Sequence, residues 1–426
     1  MCDRTAGCRR RVYGGVVEQR EIVVVGGGPA GTAAAITAAR AGRQVTLIDK
    51  ARFPRDKCCG DGLTAGALRL VEHLGLDPAD VPSWQVVDDV IVRSPSGREG
   101  RFPLPRDDGQ FAVVARRREL DAAMLDLARA AGVEVLEGHG CTGAVNRPDH
   151  VELVVDRVGT IAARYAIGAD GMWSPLRKHL GLADPTYRGE WHAFRQYFTD
   201  VGPRAASELF VWFEPDLLPG YAWSFPLPGS RANVGYCIIR PEELDGGALR
   251  RLWIDLLDRP AIHEVLGPTA RPEDRHKAWP IPARIDGVRL ATGRVLFVGD
   301  AARATDPMTG EGIGQALLSG VLAAQAMTAA GPLDAVGAAR HYRHAVRREL
   351  VADHRMALVT ARGLRHRKGA RAAVRLAAAN DWTRRTFARW LFEDYPRAMA
   401  VTPGRWHPGV FTGHGAYREH PRPGPC

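Results

Sequence analysis

Residues 21–31, Glu-Ile-Val-Val-Val-Gly-Gly-Gly-Pro-Ala-Gly, decide the fold of this chain. The β-branched run Glu21–Val25 is typical of a strand that is buried on both faces of a parallel sheet. It leads into the spacing Gly26-x-Gly28-x-x-Gly31, which opens an alanine-rich helical stretch. In that order, these glycines permit a tight turn, close approach of a pyrophosphate and close packing of helix on strand. The segment therefore predicts a Rossmann-like dinucleotide-binding unit.

The residues after this fingerprint complete a β-α-β unit. Pro29 and Ala30 open the predicted helix, where the missing N–H of proline costs little, and Gly42 ends it. The next predicted strand ends at Asp49, 18 residues after the last glycine of the fingerprint. An acid at this position accepts hydrogen bonds from a ribose 2′-hydroxyl, so Asp49 and the adjacent Lys50 are candidate cofactor contacts.

Two further turns follow predicted strands and carry an aspartate. Asp170-Gly171 lies between a predicted hairpin strand and a short helix, and by itself it is an ordinary turn signal. Gly299-Asp300 directly follows the apolar run Arg294–Val298, which has the character of a buried strand. Asp300 is suited to binding a ribitol or ribose hydroxyl.

A glycine-rich run precedes the next predicted helix. It contains Pro307, Gly310, Gly312, Ile313 and Gly314. Such a helix start offers backbone N–H groups, and the positive end of the helix dipole, to the electron-rich edge of a reduced flavin. We therefore expect these residues to contact the cofactor.

The three segments, in this order and spacing, resemble the FAD signature of the glutathione-reductase-2 flavoprotein superfamily, which includes hydroxybenzoate-hydroxylase-like enzymes. The resemblance runs from Glu21 to about Ala330 and implies FAD as the cofactor. We expect no second G-x-G-x-x-G fingerprint for a separate NAD(P) domain. The resemblance therefore implies reduction by transiently docked NAD(P)H or by another reductant.

Three more stretches resemble the geranylgeranyl reductase family. Phe53–Leu63 (Phe-Pro-Arg-Asp-Lys-Cys-Cys-Gly-Asp-Gly-Leu) is similar to the family segment F-P-R-x-K-x-C-G-[DG]-G-L. Pro219–Pro226, followed by Asn233-Val-Gly235, is similar to the Y-x-W-x-F-P motif and the N-[VI]-G beyond it. Arg117–Asp121 matches R-x-x-[LF]-D, whose arginine lies near the flavin in the family.

The resemblance implies reduction of carbon–carbon double bonds in a polyprenyl chain or a related isoprenoid natural product. Reduced flavin would deliver hydride from N5, and a proton would reach the other carbon. Because an isolated alkene is poorly polarised, placement and proton supply must lower much of the barrier.

The candidate catalytic residues come from the same stretches. Cys59 aligns with the family cysteine and either acts near the reacting carbons or packs under the flavin, with Gly60 beside it as a cofactor contact. Cys58 stands where the family often has proline, so we expect a structural role. Tyr221 and Trp223 are two residues apart on a predicted strand and face the same side. They form either a pocket wall or an ordinary aromatic core pair.

These patterns predict an α/β protein: a Rossmann-like FAD-binding domain with an inserted antiparallel-sheet substrate domain and a helical C-terminal region. The expected boundaries are 1–20 for a disordered arm, 21–184 and 285–330 for the FAD-binding domain, 185–284 for the substrate domain, 331–402 for the helical region and 403–426 for an irregular tail.

The composition of the chain limits the class of protein and the compartment to expect. The chain has 426 residues, of which 45% are hydrophobic and 25% charged, as in an ordinary globular protein. Seven cysteines without a C-x2-C pair argue against a disulfide framework or a metal site and favour the reducing cytoplasm. We find no run of 18 apolar residues, and no apolar stretch follows the N-terminal arginines, so we expect neither a membrane-spanning helix nor a secretory signal.

The formal charge of +10 is concentrated in Arg355–Phe392, which contains a single acid, Asp381. This segment is either a solvated helix face or a surface for an anionic membrane or a diphosphate, which would make the protein peripheral to the membrane. Its candidate apolar contacts are Leu364, Val374, Leu376, Trp382, Phe387, Trp390 and Leu391. The chain carries no recognisable nucleic-acid-binding module, so we expect no nucleic-acid partner.

Two other functions compete with the reductase. An aromatic hydroxylase needs the same FAD site, and a flavin halogenase carries W-x-W-x-I-P, from which this chain departs at Tyr221 and Phe225. A non-catalytic flavin-binding protein is the remaining alternative. It would need neither Cys59 nor the Tyr221–Pro226 stretch, so their presence argues against it.

Overall fold

The computed structural model describes residues 18–240, 245–406 and 413–419. Its strands are β1 (Glu18–Val25), β2 (Val45–Asp49), β3 (Gly62–Thr64), β4 (Gln85–Val86), β5 (Asp89–Arg93), β6 (Glu99–Pro103), β7 (Ala112–Val114), β8 (Glu134–Glu137), β9 (Cys141–Asn146), β10 (Val151–Val155), β11 (Gly159–Gly168), β12 (Trp191–Thr199), β13 (Leu209–Trp212), β14 (Tyr221–Leu227), β15 (Arg231–Ile239), β16 (Arg271–Pro272), β17 (Lys277–Ile281), β18 (Ala291–Thr292) and β19 (Val295–Phe297).

Its helices are α1 (Pro29–Arg40), α2 (Ala65–His73), α3 (Arg117–Ala130), α4 (Pro175–His179), α5 (Pro203–Ser207), α6 (Gly246–Asp258), α7 (Pro260–Leu266), α8 (Ile313–Ala330), α9 (Ala335–Val346), α10 (Ala352–Leu364), α11 (Arg367–Ala377) and α12 (Asp381–Leu391).

The expected parallel sheet forms the first layer. β1 lies at its centre between β2 and β11, with β8 beyond β2 and β19 beyond β11, all in parallel register. β1 begins at Glu18, earlier than the expected Glu21, because Glu18–Arg20 continue the ladder opposite Ile161–Ala163. The last residues of the expected arm 1–20 are therefore strand, and the rest of that arm lies outside the described residues.

Helix α8 packs across α1 on one face of this sheet. A Cβ on Gly320 would lie 2.2 Å from the Ala30 carbonyl oxygen, so the two backbones are nearly in contact. By length and composition α8 could cross a membrane, and it is the single such helix among the described residues. Because 67% of its apolar window is buried inside the protein, α8 serves here as a core helix.

The second sheet is larger than the predicted insertion. Its strands run in the order β16-β12-β15-β14-β13-β5-β6, with β17 also paired to β12. Segment 185–284 supplies most of it, but β5 and β6 come from before the insertion, and β13 pairs with β5 in parallel. The strands contributed by 185–284 pair with one another in antiparallel fashion, as predicted, and the sheet extends beyond them through β5 and β6.

The C-terminal region is helical, as predicted, and closes over the second sheet. Phe387 of α12 packs on Phe102 of β6 with ring centroids 5.0 Å apart. The expected irregular tail is anchored where it is described: Ala416 bridges to Gln110, and the buried Tyr417 meets the Trp84 ring edge-on at 5.5 Å.

Replacing Gly320 by alanine should destabilise the fold, because the added methyl group meets the Ala30 backbone. We expect a loss of about 1–3 kcal/mol, the usual range for overpacking, measured by chemical denaturation. Gly363→Ala in α10 is the matched control, because nothing lies within 4 Å of its Cβ position, and it should be neutral or slightly stabilising. Equal stability of both variants would contradict the close packing of α1 on α8.

Candidate functional site

One cavity of about 1010 Å³ lies between the parallel sheet, the second sheet and the C-terminal helices. It opens beyond the carboxyl ends of the parallel strands, where this class of fold binds its ligands. Predicted site residues on its wall are Gly26, Gly28, Pro29, Ala30, Asp49, Lys50, Cys59, Gly60, Arg117, Asp170, Gly171, Tyr221, Trp223, Gly299, Asp300, Gly310, Gly312 and Ile313.

Three predicted cofactor contacts do not reach this cavity. A Cβ on Gly31 would lie 1.8 Å from the Gly26 carbonyl oxygen, so this residue serves close packing of helix and turn. Pro307 is buried, and its carbonyl oxygen accepts a hydrogen bond from Trp191 Nε1 at 3.1 Å. Gly314 faces α2 instead of the cavity wall. These three residues therefore pack outside the cavity wall and hold the elements that form it.

The glycine turn after β1 is held by its neighbours. Gly26 has a φ of +110°, and a Cβ there would lie 2.3 Å from the Ala169 carbonyl oxygen. Asp49 Oδ2 accepts from the Gly27 amide at 2.7 Å, and its Oδ1 accepts from the Ala51 amide at 2.8 Å. Each oxygen keeps a second lone pair, so Asp49 can hold the turn and still accept a ribose hydroxyl.

The two later aspartates differ in how they are used. Asp170 accepts from Ser174 Oγ at 2.6 Å and from the Leu176 amide at 2.8 Å, which fixes the start of α4. Burial raises the pKa of Asp170. Asp300 Oδ2 lies 3.5 Å from Lys57 Nζ at the cavity wall. Asp300 is therefore the better placed of the two for a ligand hydroxyl.

A fixed cation lies beside the glycine turn. Arg117 forms a bidentate pair with Asp121 at 2.7 and 2.8 Å, and Arg55 Nη1 reaches the same carboxylate at 2.8 Å. Burial alone would lower the pKa of Arg117, but the Asp121 carboxylate outweighs it and holds that pKa well above its usual value. A Cβ on Gly28 would lie 3.9 Å from Arg117 Nη2, so the guanidinium faces the turn.

These features fit the pyrophosphate of FAD. Gly28 is the N-cap of α1 and has no side chain to accept from the first helical amides. Those amides and the positive end of the helix dipole are left for an anion, with Arg117 and Arg55 nearby. Gly138-His-Gly140-Cys-Thr-Gly143 repeats the glycine spacing, but it joins β8 to β9 without a helix and forms no second dinucleotide unit.

The start of α8 departs from expectation. Ile313 and Gly314 were expected to offer their amides to the flavin, but both amides donate to Glu311 Oε1, at 2.9 and 3.1 Å. Glu311 itself lines the cavity. The start of α8 therefore presents a carboxyl group to the cavity. The glutamate between Gly310 and Gly312 was the feature of the sequence that indicated this.

A buried polar network joins the second sheet to the Cys59 loop. Trp223 Nε1 donates to Asn233 Oδ1 at 3.1 Å. Asn233 Nδ2 donates to Asp61 Oδ2 at 2.8 Å and to the Cys59 carbonyl oxygen at 2.9 Å. The Tyr197 hydroxyl donates to the same Asp61 oxygen at 2.5 Å. The indole that faces the cavity and the loop that carries the cysteine are thus fixed to one another.

Asp61 is the centre of this network and was not selected from the sequence. It is fully buried, and burial raises its pKa to about 6 although the cationic Arg195 lowers it. Arg195 is itself buried and paired with Asp56 and Asp274 at 2.8 and 3.0 Å. Asp61 lies within the Phe53–Leu63 motif, so the sequence offered a reason to select it. No local sequence pattern indicated a role for Arg195.

Cys59 lies at the cavity wall as a thiol. Burial raises its pKa to about 11, although the guanidinium of Arg117 lowers it. Cys59 therefore keeps its proton at neutral pH, so it can donate a proton but does not act as a thiolate. Cys58 Sγ points to the Lys277 carbonyl oxygen at 3.6 Å, and burial raises its pKa to about 12.

Tyr221 and Trp223 form a wall on β14. Their ring centroids are 6.1 Å apart, and the Tyr221 hydroxyl donates to the Thr309 carbonyl oxygen. A Cβ on Gly235 would lie 2.3 Å from the Trp223 indole, so this glycine makes room for the ring. Both aromatic residues line the cavity, as the pocket interpretation requires.

The far end of the cavity reaches the basic C-terminal segment. All seven apolar residues singled out from that segment line it: Leu364, Val374, Leu376, Trp382, Phe387, Trp390 and Leu391. Leu376 and Trp382 are 70% and 69% exposed, which places them at the rim. The cavity therefore runs from the glycine turn to an apolar opening between α10, α11 and α12.

Comparison with known proteins agrees with this geometry. A family described as an FAD binding domain matches residues 19–330. Menaquinone reductase from Mycolicibacterium smegmatis is 33% identical over 74% of this chain and 78% of its own length. Digeranylgeranylglycerophospholipid reductase 2 from Methanopyrus kandleri is 32% identical over 72% of this chain and 76% of its own length.

A solved structure shares the fold. It is a geranylgeranyl bacteriochlorophyll reductase-like protein from Thermoplasma acidophilum, with a TM-score of 0.76 and 20% identity, covering 92% of this chain and 100% of that chain. The fold, the glycine turn with its neighbouring arginines, and the family match together define an FAD-dependent oxidoreductase. Within that class, the chain belongs to the geranylgeranyl reductase family.

Replacing Gly28 by valine should abolish FAD binding while the protein still folds, because the side chain would fill the space between the turn and Arg117. Flavin absorbance of the purified protein, set against protein concentration, measures the loss. Gly246→Val is the control, since nothing lies within 4 Å of its Cβ position and it is absent from the cavity wall. Stoichiometric FAD in Gly28→Val would overturn the assignment of the turn.

Proposed function

We propose that this enzyme reduces carbon–carbon double bonds of a prenyl or polyprenyl chain, or of a related isoprenoid compound. The observation that carries the proposal is one continuous cavity, which joins the glycine turn that would hold FAD to an apolar passage lined by aromatic and aliphatic side chains. An isoprenoid tail is long and apolar and offers few polar groups for recognition. The names of two relatives, a menaquinone reductase and a digeranylgeranylglycerophospholipid reductase, support the same substrate class.

Bound FAD would supply the hydride, and the protein must position the alkene and provide the proton. Trp223 is held by Asn233 and forms one wall for the chain. Cys59 keeps a proton at the cavity wall, and its backbone is tied to the same Asn233. A protonated group at a fixed place beside the bound alkene is what protonation of an alkene carbon requires.

The proposal also covers the source of the electrons that reduce the flavin. Since the described residues contain one glycine-fingerprint unit that opens a helix, we propose that NAD(P)H, or another reductant, docks transiently instead of occupying a domain of its own.

A reduction assay read by mass spectrometry tests the proposed function. The FAD-loaded protein, reduced with dithionite under argon, is offered geranylgeranyl diphosphate or a menaquinone. We expect product masses that rise by two hydrogens for each bond reduced. No mass gain in this assay, together with oxygen and NAD(P)H consumption in a separate aerobic assay with an aromatic compound and no dithionite, would favour the hydroxylase alternative.

In this assay Cys59→Ala should retain FAD and lose turnover by about a hundredfold, the usual contribution of a positioned proton donor. Cys58→Ala is the neighbouring control and should turn over like the unmodified enzyme, because its thiol points to β17. Unchanged turnover of Cys59→Ala would make Cys59 a packing residue.

We also propose that the cavity rim docks on an anionic membrane, from which an isoprenoid tail could enter directly. Leu376 and Trp382 are exposed at the rim, and Arg371 and Arg375 of α11 are exposed beside them. Apolar side chains framed by arginines favour an anionic interface. The chain would then be peripheral to the membrane.

Vesicle sedimentation checks this docking. Binding to anionic vesicles should weaken at high salt, and it should fall by about tenfold or more when Arg371 and Arg375 are both changed to glutamate. Arg118→Glu with Arg250→Glu makes the same charge change at exposed positions elsewhere and should bind as before. Equal binding of the two double variants would contradict docking through α11.

A further inference from the structure

The carboxyl group of Glu311 faces the cofactor site without a cation of its own. Its Oε1 accepts from the two amides at the start of α8, and no described residue forms a hydrogen bond with its Oε2. Glu311 lines the cavity, so Oε2 is the atom left for what the cavity binds.

The surroundings of Glu311 hold more acids than bases. Asp306, Glu311 and Glu393 share a single guanidinium, that of Arg397, within this cluster of described residues. Arg397 is 2% exposed at its side chain and lies 3.1 Å from Glu393 and 3.6 Å from Asp306. Three ionised carboxylates beside one buried cation would leave an uncompensated charge in a poorly solvated place. The cluster is therefore expected to hold a proton.

The proton belongs on Glu311. Asp306 accepts three hydrogen bonds from the turn that follows it and lies beside Arg397. Glu393 accepts from the Thr64 hydroxyl, the Gln315 side-chain amide and the Arg397 guanidinium. Burial raises the pKa of Glu393 too, but the adjacent Arg397 lowers it and favours the ionised form. Glu311 has two amide donors and forms no ion pair with Arg397. Burial, and then the charge of Glu393, raises the pKa of Glu311 to about 8.

We propose that Glu311 carries a proton on Oε2 and presents a neutral acid to the FAD site, so that the negatively charged reduced cofactor meets a hydrogen-bond donor there instead of a second anion. The proposal rests on FAD binding and is independent of which substrate is reduced. It gives Glu311 a direct part in holding reduced cofactor, and it makes Glu393 a positioning residue, because the charge of Glu393 helps to keep the proton on Glu311.

The sign of the pH dependence follows from the groups around Glu311. The ionisable neighbours are Asp306, Glu393, Arg397, Cys59 and Tyr221. Burial raises the pKa of the Cys59 thiol and of the Tyr221 phenol, so both stay neutral near pH 8. Glu311 is then the group that loses a proton as the pH rises through about 8, and the new carboxylate repels reduced FAD.

Affinity for reduced FAD, measured under argon from pH 6.5 to 9.5, tests the proposal. For the unmodified protein we expect a loss of about tenfold between pH 7 and pH 9, because the neutral fraction of an acid with a pKa near 8 falls by that factor. Glu311→Gln keeps the acceptor for both amides and a donor for the cavity, so its affinity should lack this loss. Glu264→Gln, on the exposed face of α7, should behave like the unmodified protein.

Identical pH profiles for the unmodified protein and Glu311→Gln would overturn the proposal. Infrared spectroscopy decides the case even if Glu311→Gln fails to bind FAD. A carboxylic acid C=O band that is present at pH 7 and lost by pH 9.5 should be seen in the unmodified protein and be missing in Glu311→Gln. The same spectra for both proteins would equally contradict a proton on Glu311.

Discussion

The crossing of α1 and α8 is the contact on which the rest of this structure depends. Ala30, just inside α1, lies under both later elements: a Cβ on Gly320 would be 2.2 Å from its carbonyl oxygen, and one on Gly299 would be 2.9 Å from its side chain. The first and third FAD segments are thus held at a fixed spacing by glycines that allow backbone contact. A cofactor that spans both segments needs that spacing to be constant.

A second constraint joins this cradle to the substrate side. Asp61, Asn233 and Tyr197 are buried and hydrogen-bonded, so the loop that carries Cys59 cannot move independently of the second sheet. Satisfied polar networks in a core specify one arrangement, because breaking a bond leaves a buried group unpaired. The C-terminal region adds its own tie through Glu393, which bonds to the side chains of Thr64 and Gln315.

The FAD cradle could be predicted from the sequence because each of its segments is a local strand–turn–helix pattern with a glycine where the backbone requires one. The substrate side could be predicted in part: Tyr221, Trp223 and Cys59 were found through motifs. Arg195 and Glu393 were not, because their partners are brought together by sheet pairing and helix docking over long stretches of chain. The departure at α8 has a similar cause, since a glutamate two residues before a helix competes with a ligand for the same amides.

Anaerobic mixing of the reduced, FAD-loaded enzyme with an isoprenoid substrate is the most direct test of a cavity that places an alkene against the flavin. The absorbance of the flavin is followed under argon while the products are quenched and weighed by mass spectrometry. The structure predicts reoxidation without oxygen, at a rate that rises with substrate, and loss of one double bond per flavin reoxidised. A flavin that stays reduced under argon with isoprenoid substrates and is reoxidised only when oxygen is admitted would contradict it.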